Sequence, residues 1–390
     1  MTEIANTPEL RFPNYENSWF SYKLNDISER VTRKNKNLES QRPLTISGQL
    51  GLIDQIEYFN KSVSSKNLTG YTLIKKGEFA YNKSYSNGYP LGAIKKLERY
   101  DLGILSSLYI CFSFDENIDK SFMKNYFEST KWYREVANIA VEGARNHGLL
   151  NIPVNDFFNI NINLPIQYEQ EKIGEFFSKL DRQIELEEQK LAKLEEQKKG
   201  YMQKIFSQEI RFKDDNGNDY PEWESKKFLD IFKLAPSKNN QIKSSEVVEN
   251  GIIPVVDQGK DIFLGYSNEK DKAIEDFDNV IVYGDHTTII KYIKEPFIIG
   301  GDGVKLLKSN DGSLIHYLYI LLQYFNVKPE GYKRHYSILK NKMMNISNTK
   351  EEQEKIGDFF NELDELIEKQ SSKIVVLKQR KKGFLQKMFV

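Results

Sequence analysis

Apolar residues between Glu169 and Phe206 fall on one track: Ile173, Phe177, Leu180, Ile184, Leu191, Leu194, Tyr201 and Ile205, with Glu187 and Lys198 as its polar members. The spacing alternates four and three. An average of 3.5 is the heptad period of a left-handed coiled coil, so a long amphipathic helix is predicted here. The same track returns as Ile356, Phe360, Leu363, Ile367, Ile374, Leu377, Phe384 and Met388, with Gln370 and Lys381 at the matching polar places. Gly200 and Gly383 each cost about 1 kcal/mol relative to alanine inside a helix. The apolar period continues past both, so both helices are expected to run through them. Thr349 followed by Glu352 predicts a capping box for the second helix. The first has only Pro165 and Gln167 before it, a weaker start.

The two tracks are copies. EQEKIGEFFSKLD (Glu169–Asp181) and EQEKIGDFFNELD (Glu352–Asp364) agree at ten of thirteen positions, and the offset of 183 residues holds without a gap to the chain's end. An internal duplication therefore governs the reading. The charges suggest how the copies meet. Glu169–Glu188 holds seven acids and three bases, and Gln189–Phe206 two acids and five bases. Glu352–Glu368 holds seven acids and one base, and the remainder to Val390 has seven bases and no acid. This gradient suits each helix's own macrodipole. It also favours an antiparallel pair, acidic half on basic half. The pairing positions expected are Ile173, Phe177, Leu180, Ile184, Leu191 and Leu194 with Ile356, Phe360, Leu363, Ile367, Ile374 and Leu377. The competing arrangement is two amphipathic helices, each packed on its own domain.

Between the helices the pattern shortens. Strand-like runs occur at Leu44–Ile46, Tyr71–Ile74, Phe79–Tyr81, Leu91–Ile94 and Leu105–Phe114, then at Ile252–Val256, Val280–Tyr283, Thr288–Ile293, Phe297–Ile299 and Val304–Leu307. Gly, Asn and Ser punctuate them. Helices are predicted over Lys120–Ala140 and Leu314–Phe325. Each globular part opens alike: Leu10-Arg11-Phe12 leads to Trp19, Leu24, Asp26 and Ile27, and Ile210-Arg211-Phe212 leads to Trp223, Phe228, Asp230 and Ile231. GEFAYNKS aligns with DNVIVYGDH, setting Tyr81 opposite Tyr283. Because the N-terminus resembles the segment that leaves the first long helix, it is expected beside the end of the last helix. The chain divides into 1–166, a helix over 167–207, 208–349 and a helix over 350–390. Both globular parts read as α+β, without regular βαβ alternation.

Composition narrows the class. Of 390 residues 29% are charged, with 56 bases and 56 acids. No run of about 18 apolar residues occurs, so no membrane span is expected. The N-terminus lacks a basic-then-apolar signal pattern, which predicts a cytoplasmic protein. The lone cysteine, Cys111, lies in LYICFSF and reads as a core residue. Neutral charge argues against a bulk polybasic nucleic-acid binder. Met1–Tyr168 has 20 bases and 18 acids, and Ser207–Glu351 has 20 and 22. A DNA-facing surface must therefore be a segregated patch.

Catalytic constellations are not found. Gly300-Gly301-Asp302-Gly303 lacks the lysine–serine follow-on of a phosphate loop and reads as a hairpin turn. His147, His286, His316 and His335 have no metal-ligand spacing, so no metal site is expected. Asp285-His286-Thr287 reads as a polar loop or half of an acid–base site. Asp257 with Lys260 only faintly suggests a nuclease-like pair, without an identifiable second carboxylate.

The duplicated EQEKI helices, the KKG near the end of each, the two tryptophan openings and GARNHGLLNI (Gly143–Ile152) resemble one family across nearly the whole chain. It is the specificity subunit of type I restriction–modification systems. The resemblance implies two α+β target-recognition domains separated by two long helices that form an antiparallel coiled coil, a pseudo-twofold internal repeat. Each domain would read one half of an asymmetric bipartite site in double-stranded DNA. The helices would set the spacing and dock two methyltransferase subunits, and restriction subunits would complete the endonuclease. The chain itself would be non-catalytic and hold no cofactor, with S-adenosylmethionine bound by the methyltransferase partner. The rival classes are a coiled-coil scaffold that binds only proteins and a two-domain nuclease.

Two readers on one face of B-DNA stand about one turn, roughly 34 Å, apart. A helix over Glu169–Phe206 spans roughly 57 Å at 1.5 Å per residue, long enough for the task. Removing one heptad from one helix is expected to change the number of unread bases between half-sites, as methylome sequencing would show. Base and phosphate readout calls for Arg, Lys, Asn and His side chains on loops. The candidates in the first domain are Arg30, Arg33, Lys34, Lys36, Lys83, Tyr85, Arg145 and Asn146. In the second they are Lys238, Asn239, Asn240, His286, Thr287, Arg334 and His335.

Overall fold

The computed structural model describes residues 6–61, 63–86, 88–140, 150–331 and 333–390. Two compact units emerge, one of residues 1–188 with 372–390 and one of residues 189–371. The duplicated sequence forms two uninterrupted helices, Gln167–Phe206 and Lys350–Lys387. Each unit holds half of each helix.

In the first unit, Phe20–Lys23 pairs antiparallel with Asn161–Leu164 and leads into a one-turn helix, Leu24–Ile27. An antiparallel four-stranded sheet comes next, in the order 28–30, 109–114, 79–82, 93–96. Side chains alternate across it as the strand period of two requires. Phe79, Tyr81, Phe112 and Phe114 face a core shared with the helices at Lys120–Glu128 and Val154–Phe158. Ala80 and Cys111 face the other way, toward the antiparallel ladders 44–47/51–54 and 72–75/102–105.

The second unit repeats the plan. Glu224–Lys227 pairs with Met343–Ile346, the helix Phe228–Ile231 comes after it, and a four-stranded sheet runs 232–234, 304–309, 281–284, 290–291. Tyr81 and Tyr283 occupy the same place, both fully buried in the second-from-edge strand. A second sheet, in the order 241–242, 298–300, 253–256, 265–267, contains parallel pairs.

Within each unit the helix halves run antiparallel. In the first, Phe176 meets Phe384 (ring centroids 5.1 Å), Asp181 meets Lys381 (2.6 Å) and Glu187 meets Lys373 (2.5 Å), so one number falls as the other rises. In the second, Tyr201 meets Phe359 (5.2 Å) and Lys198 meets Asp364 (2.6 Å). These are the same pairs under the 183-residue offset. Exposed ion pairs contribute at most about 1 kcal/mol each. The apolar seam does more. Ile173 and Phe177 are buried with Leu385, Met388 and Phe389, and Ile356 and Phe360 with Ile205 and Phe206. Ile184, Ile374 and Leu377 are also buried, while Leu180, Leu191, Leu194, Leu363 and Ile367 are half-buried. The N-terminal segment lies against the last helix: Leu10 N donates to Lys387 O at 2.9 Å, as Ile210 N does to Lys204 O at 3.1 Å.

Several local expectations are corrected. Lys120–Ala140 is two helices, 120–128 and Tyr133–Ile139, because Ser129 Oγ caps back to Tyr126 O and Trp132 Nε1 to Phe127 O. Leu105–Phe114 is two strands, 102–105 and 109–114, that join different sheets. The glycine cluster is not a hairpin turn. Its flanking strands, 298–300 and 304–309, belong to different sheets, and Gly301 (φ +76) and Gly303 (φ +83) make the crossing. Glu352 does not close a capping box on Thr349; its carboxylate accepts from Arg211, Trp223 and Ser347 instead.

Candidate nucleic-acid interface

The duplicated motif sets each domain on its helix through three residues. Glu169 is buried and takes both Nε and Nη2 of Arg11 at 2.7 Å. Glu352, equally buried, takes Arg211 Nη2 at 3.1 Å and Trp223 Nε1 at 2.9 Å. The next residue caps a domain helix. Gln170 Oε1 accepts from Asp119 N, and Gln353 Oε1 from Leu314 N, while each amide group donates back to the strand end, at Pro165 O and Ser347 O. The glycine of the motif lets that helix approach. A Cβ on Gly174 would lie 2.9 Å from Phe122 N, and one on Gly357 would collide with the His316 ring. Glu, Gln and Gly are thus held identical by an ion pair, a cap and a close contact.

In the second unit, loops gather where strands 253–256, 281–284 and 298–300 end. Lys291 organises them. Its side chain is 5% exposed, and its Nζ donates to Asp261 O at 2.6 Å and Asp257 O at 2.9 Å, with the Asp257 carboxylate at 3.5 Å. Burial lowers its pKa, and Asp257 opposes that shift. Asp257 therefore pairs with Lys291, not Lys260. Gln258 ties the next loops together: its Oε1 accepts from His286 N at 3.1 Å, its Nε2 donates to Asp302 O at 3.2 Å, and its carbonyl accepts from Thr287 Oγ1 at 2.6 Å. His286 Nδ1 lies 3.1 Å from Lys333 O. A carbonyl only accepts, so Nδ1 carries the proton. Beside this cluster, Lys238, Lys243, Lys272, Ser244 and Asp302 line an open groove of about 520 Å³.

The candidates sort by environment. Lys238, Asn239 and Arg334 are exposed, and His286 and Thr287 are half-buried at the loop cluster. Asn240 holds a loop, donating to Lys272 O and Ala273 O. His335 is corrected: it is wholly buried, its Nε2 accepts from Glu330 N, and its Nδ1 faces Asp285 O. It cannot face DNA, and it shapes the Asp285 turn instead. In the first unit Arg30, Lys34, Lys36 and Tyr85 are exposed. Arg33 is committed to Glu78 at 2.8 Å, and Lys83 reaches Ile152 O at 3.4 Å. Arg145 and Asn146 lie outside the described residues. Gln258, Lys243 and Lys291 were missed. The signal available was a polar run, Asp257-Gln258-Gly259-Lys260, directly after a buried strand, which sequence alone does not separate from an ordinary turn.

Among the described residues no cluster of His, Cys, Asp and Glu could hold a metal ion, and no helix is long and apolar enough to cross a membrane. Each α+β unit thus carries the same Glu, Gln and Gly anchor on antiparallel helix halves, and the second gathers lysine- and amide-bearing loops at one end of its strands. The family comparison makes this specific. Residues 3–196 and 220–379 match the type I restriction modification DNA specificity domain, so the chain belongs to that family. The fold is similar to a type I restriction–modification S subunit from M. genitalium, at 16% identity, TM-score 0.60, and coverage of 98% of this chain and 99% of that one. It is also similar to a chain from a structure titled for complex assembly and conformational transition of the type I R-M system, at 17% identity and TM-score 0.52, covering 95% and 97%.

Proposed function

We propose that this chain is the specificity subunit of a type I restriction–modification complex. Each unit reads one half of an asymmetric bipartite site in double-stranded DNA, and the two long helices separate the readers and dock two methyltransferase subunits. Restriction subunits complete the assembly. The chain supplies no catalytic group and holds no cofactor; S-adenosylmethionine belongs to the methyltransferase. The observation that carries this reading is the duplication: one anchor of Glu, Gln and Gly fixes two domains of unlike sequence to matching helix halves. Unlike readers imply an asymmetric site, whereas identical ones would read a palindrome. In the second unit the loops held by Lys291 and Gln258 present His286, Thr287 and Arg334 to bases and phosphates, and the lysine groove holds the backbone.

The test is a gel shift with the purified chain, alone and with a methyltransferase subunit. Sequence-specific binding that requires the partner is expected. A scaffold would show no specific binding in any complex, and a nuclease would cut alone with a metal ion. Arg145→Ala and Arg334→Ala are each expected to weaken methylation while the complex still assembles. Wild-type methylation by both would remove these arginines from the interface.

A further inference from the structure

Duplication lets one half of the chain serve as the control for the other. The helix caps fix the correspondence: Asp119 N donates to Gln170 Oε1 and Leu314 N to its copy, Gln353 Oε1, so Lys124 corresponds to Tyr319. Under the 183-residue offset, Asp181, Arg182 and Glu185 correspond to Asp364, Glu365 and Glu368. In the first unit Lys124 Nζ bridges Asp181 (3.2 Å) and Glu98 (2.8 Å), so this face is internally neutralised. The four positions sum to zero there, two bases against two acids. In the second unit the same four sum to −3.

The place that Lys124 fills is open in the second unit. Tyr319, Tyr292, Asp364, Glu365 and Glu368 line a cleft of about 380 Å³ together with Lys294, Glu295 and His316, so carboxylates outnumber the one lysine in the lining. The two tyrosine rings sit 5.7 Å apart, and the buried His316 Nε2 has no hydrogen-bond partner. Asp364 is met by Lys198, the counterpart of the Lys381–Asp181 pair; Lys294 also lines the cleft, but its Nζ donates to Asn361 Oδ1 at 3.0 Å, so the bridge that Lys124 makes to the aspartate has no counterpart among the described contacts. Ile262 and Phe263 line the cleft, and Ile262, Leu264 and Tyr266 are 59%, 43% and 36% exposed, so exposed apolar surface adjoins it. On the helix, Leu366 is exposed where the first copy has Gln183.

We propose that this cleft is a docking pocket for a lysine or arginine side chain of a protein partner, flanked on that partner by apolar residues, and that only the second copy carries it. Aromatic walls with carboxylates at the rim suit an alkylammonium or guanidinium, whose stem is apolar and whose head is charged. The chain's own first copy shows an ammonium held by the same aspartate. The inference rests on the proposed function for the partner's identity, a methyltransferase subunit, but not for the pocket's chemistry.

The experiment compares the full chain with Tyr319→Lys/Glu365→Arg, which restores the first copy's residues, by native mass spectrometry with the methyltransferase subunit across 50–400 mM salt. The variant is expected to bind one of the two subunits about tenfold more weakly at low salt, and that step is expected to lose its salt dependence. Unchanged affinity and salt dependence would overturn the pocket. If the wild-type chain binds no methyltransferase, the proposed function fails by itself, and the pocket is judged by line broadening of n-butylammonium in NMR. Broadening by the wild-type chain and not by the variant upholds it; equal broadening, or none, overturns it.

Discussion

Glu352 is the residue whose replacement tests the anchoring argument most sharply. Glu352→Gln keeps the shape and removes the charge. The carboxylate accepts from Arg211 Nη2 (3.1 and 3.3 Å), Trp223 Nε1 (2.9 Å) and Ser347 Oγ (2.6 Å), and its side chain is 1% exposed. Every neighbour is a donor. A glutamine offers one oxygen and turns an NH₂ group toward other donors, while Arg211, 17% exposed, keeps a charge without its counterion. Breaking a buried ion pair from one side costs about 3–5 kcal/mol. At about 1.4 kcal/mol per factor of ten, that is roughly one hundred- to four thousand-fold in the opening equilibrium. Hydrogen–deuterium exchange of the 343–360 segment, read by mass spectrometry, measures it directly. Protection there is expected to fall by that factor in Glu352→Gln. Glu169→Gln should do the same to 161–177, since Arg11 is held bidentately. A loss under tenfold in both variants would refute the argument that the motif's glutamate anchors its domain.

Four glycines give opposite signs. Gly174→Ala and Gly357→Ala meet a domain helix and should destabilise by about 1–3 kcal/mol, whereas Gly200→Ala and Gly383→Ala meet nothing within 4 Å and should stabilise by about 1 kcal/mol; urea titration of the four variants checks both. Cys111 is buried and its thiol is pushed up to about 12 by burial, so it should not react with a disulfide reagent at pH 8 until the first unit unfolds. The unfolded thiol ionises first as pH rises, so its contribution to stability is intact below about pH 9 and is lost toward 12, which denaturation at stepped pH would show. Lys291→Met frees the carbonyls of Asp257 and Asp261 and should reduce methylation at least tenfold with assembly intact; methylation at the wild-type rate would show that loop order there is irrelevant.

The long helices were legible because their signal is local and repeated: a 3.5-residue track and a charge gradient, both written twice. The antiparallel sense came from charge, although the apolar seam contributes more to the pairing. What the repeated letters do was not legible. Glu352 looked like a capping residue, but its partners, Arg211 and Trp223, lie more than a hundred positions away. Gly357 carried no signal beyond its repetition, and its reason is a helix that arrives from elsewhere in the chain. The openings at Phe20–Lys23 and Glu224–Lys227 are entirely or mostly exposed edge strands without alternation, so pairing with 161–164 and 343–346 left no trace in the pattern. Of the candidates chosen by residue type, Lys34 and Lys238 are exposed, which is all that residue type could foretell. His335 was misplaced because a histidine after an arginine reads as surface until its turn is seen to close over it.

In the proposed function each unit reads its own half-site. Genome-wide mapping of modified adenines tests it most directly, in cells carrying the methyltransferase with either this chain or a version whose residues 208–349 are exchanged for those of another family member. A bipartite motif is expected in both, with one half unchanged and the other replaced. Modification whose two halves change together, or that ignores the exchange, would contradict it.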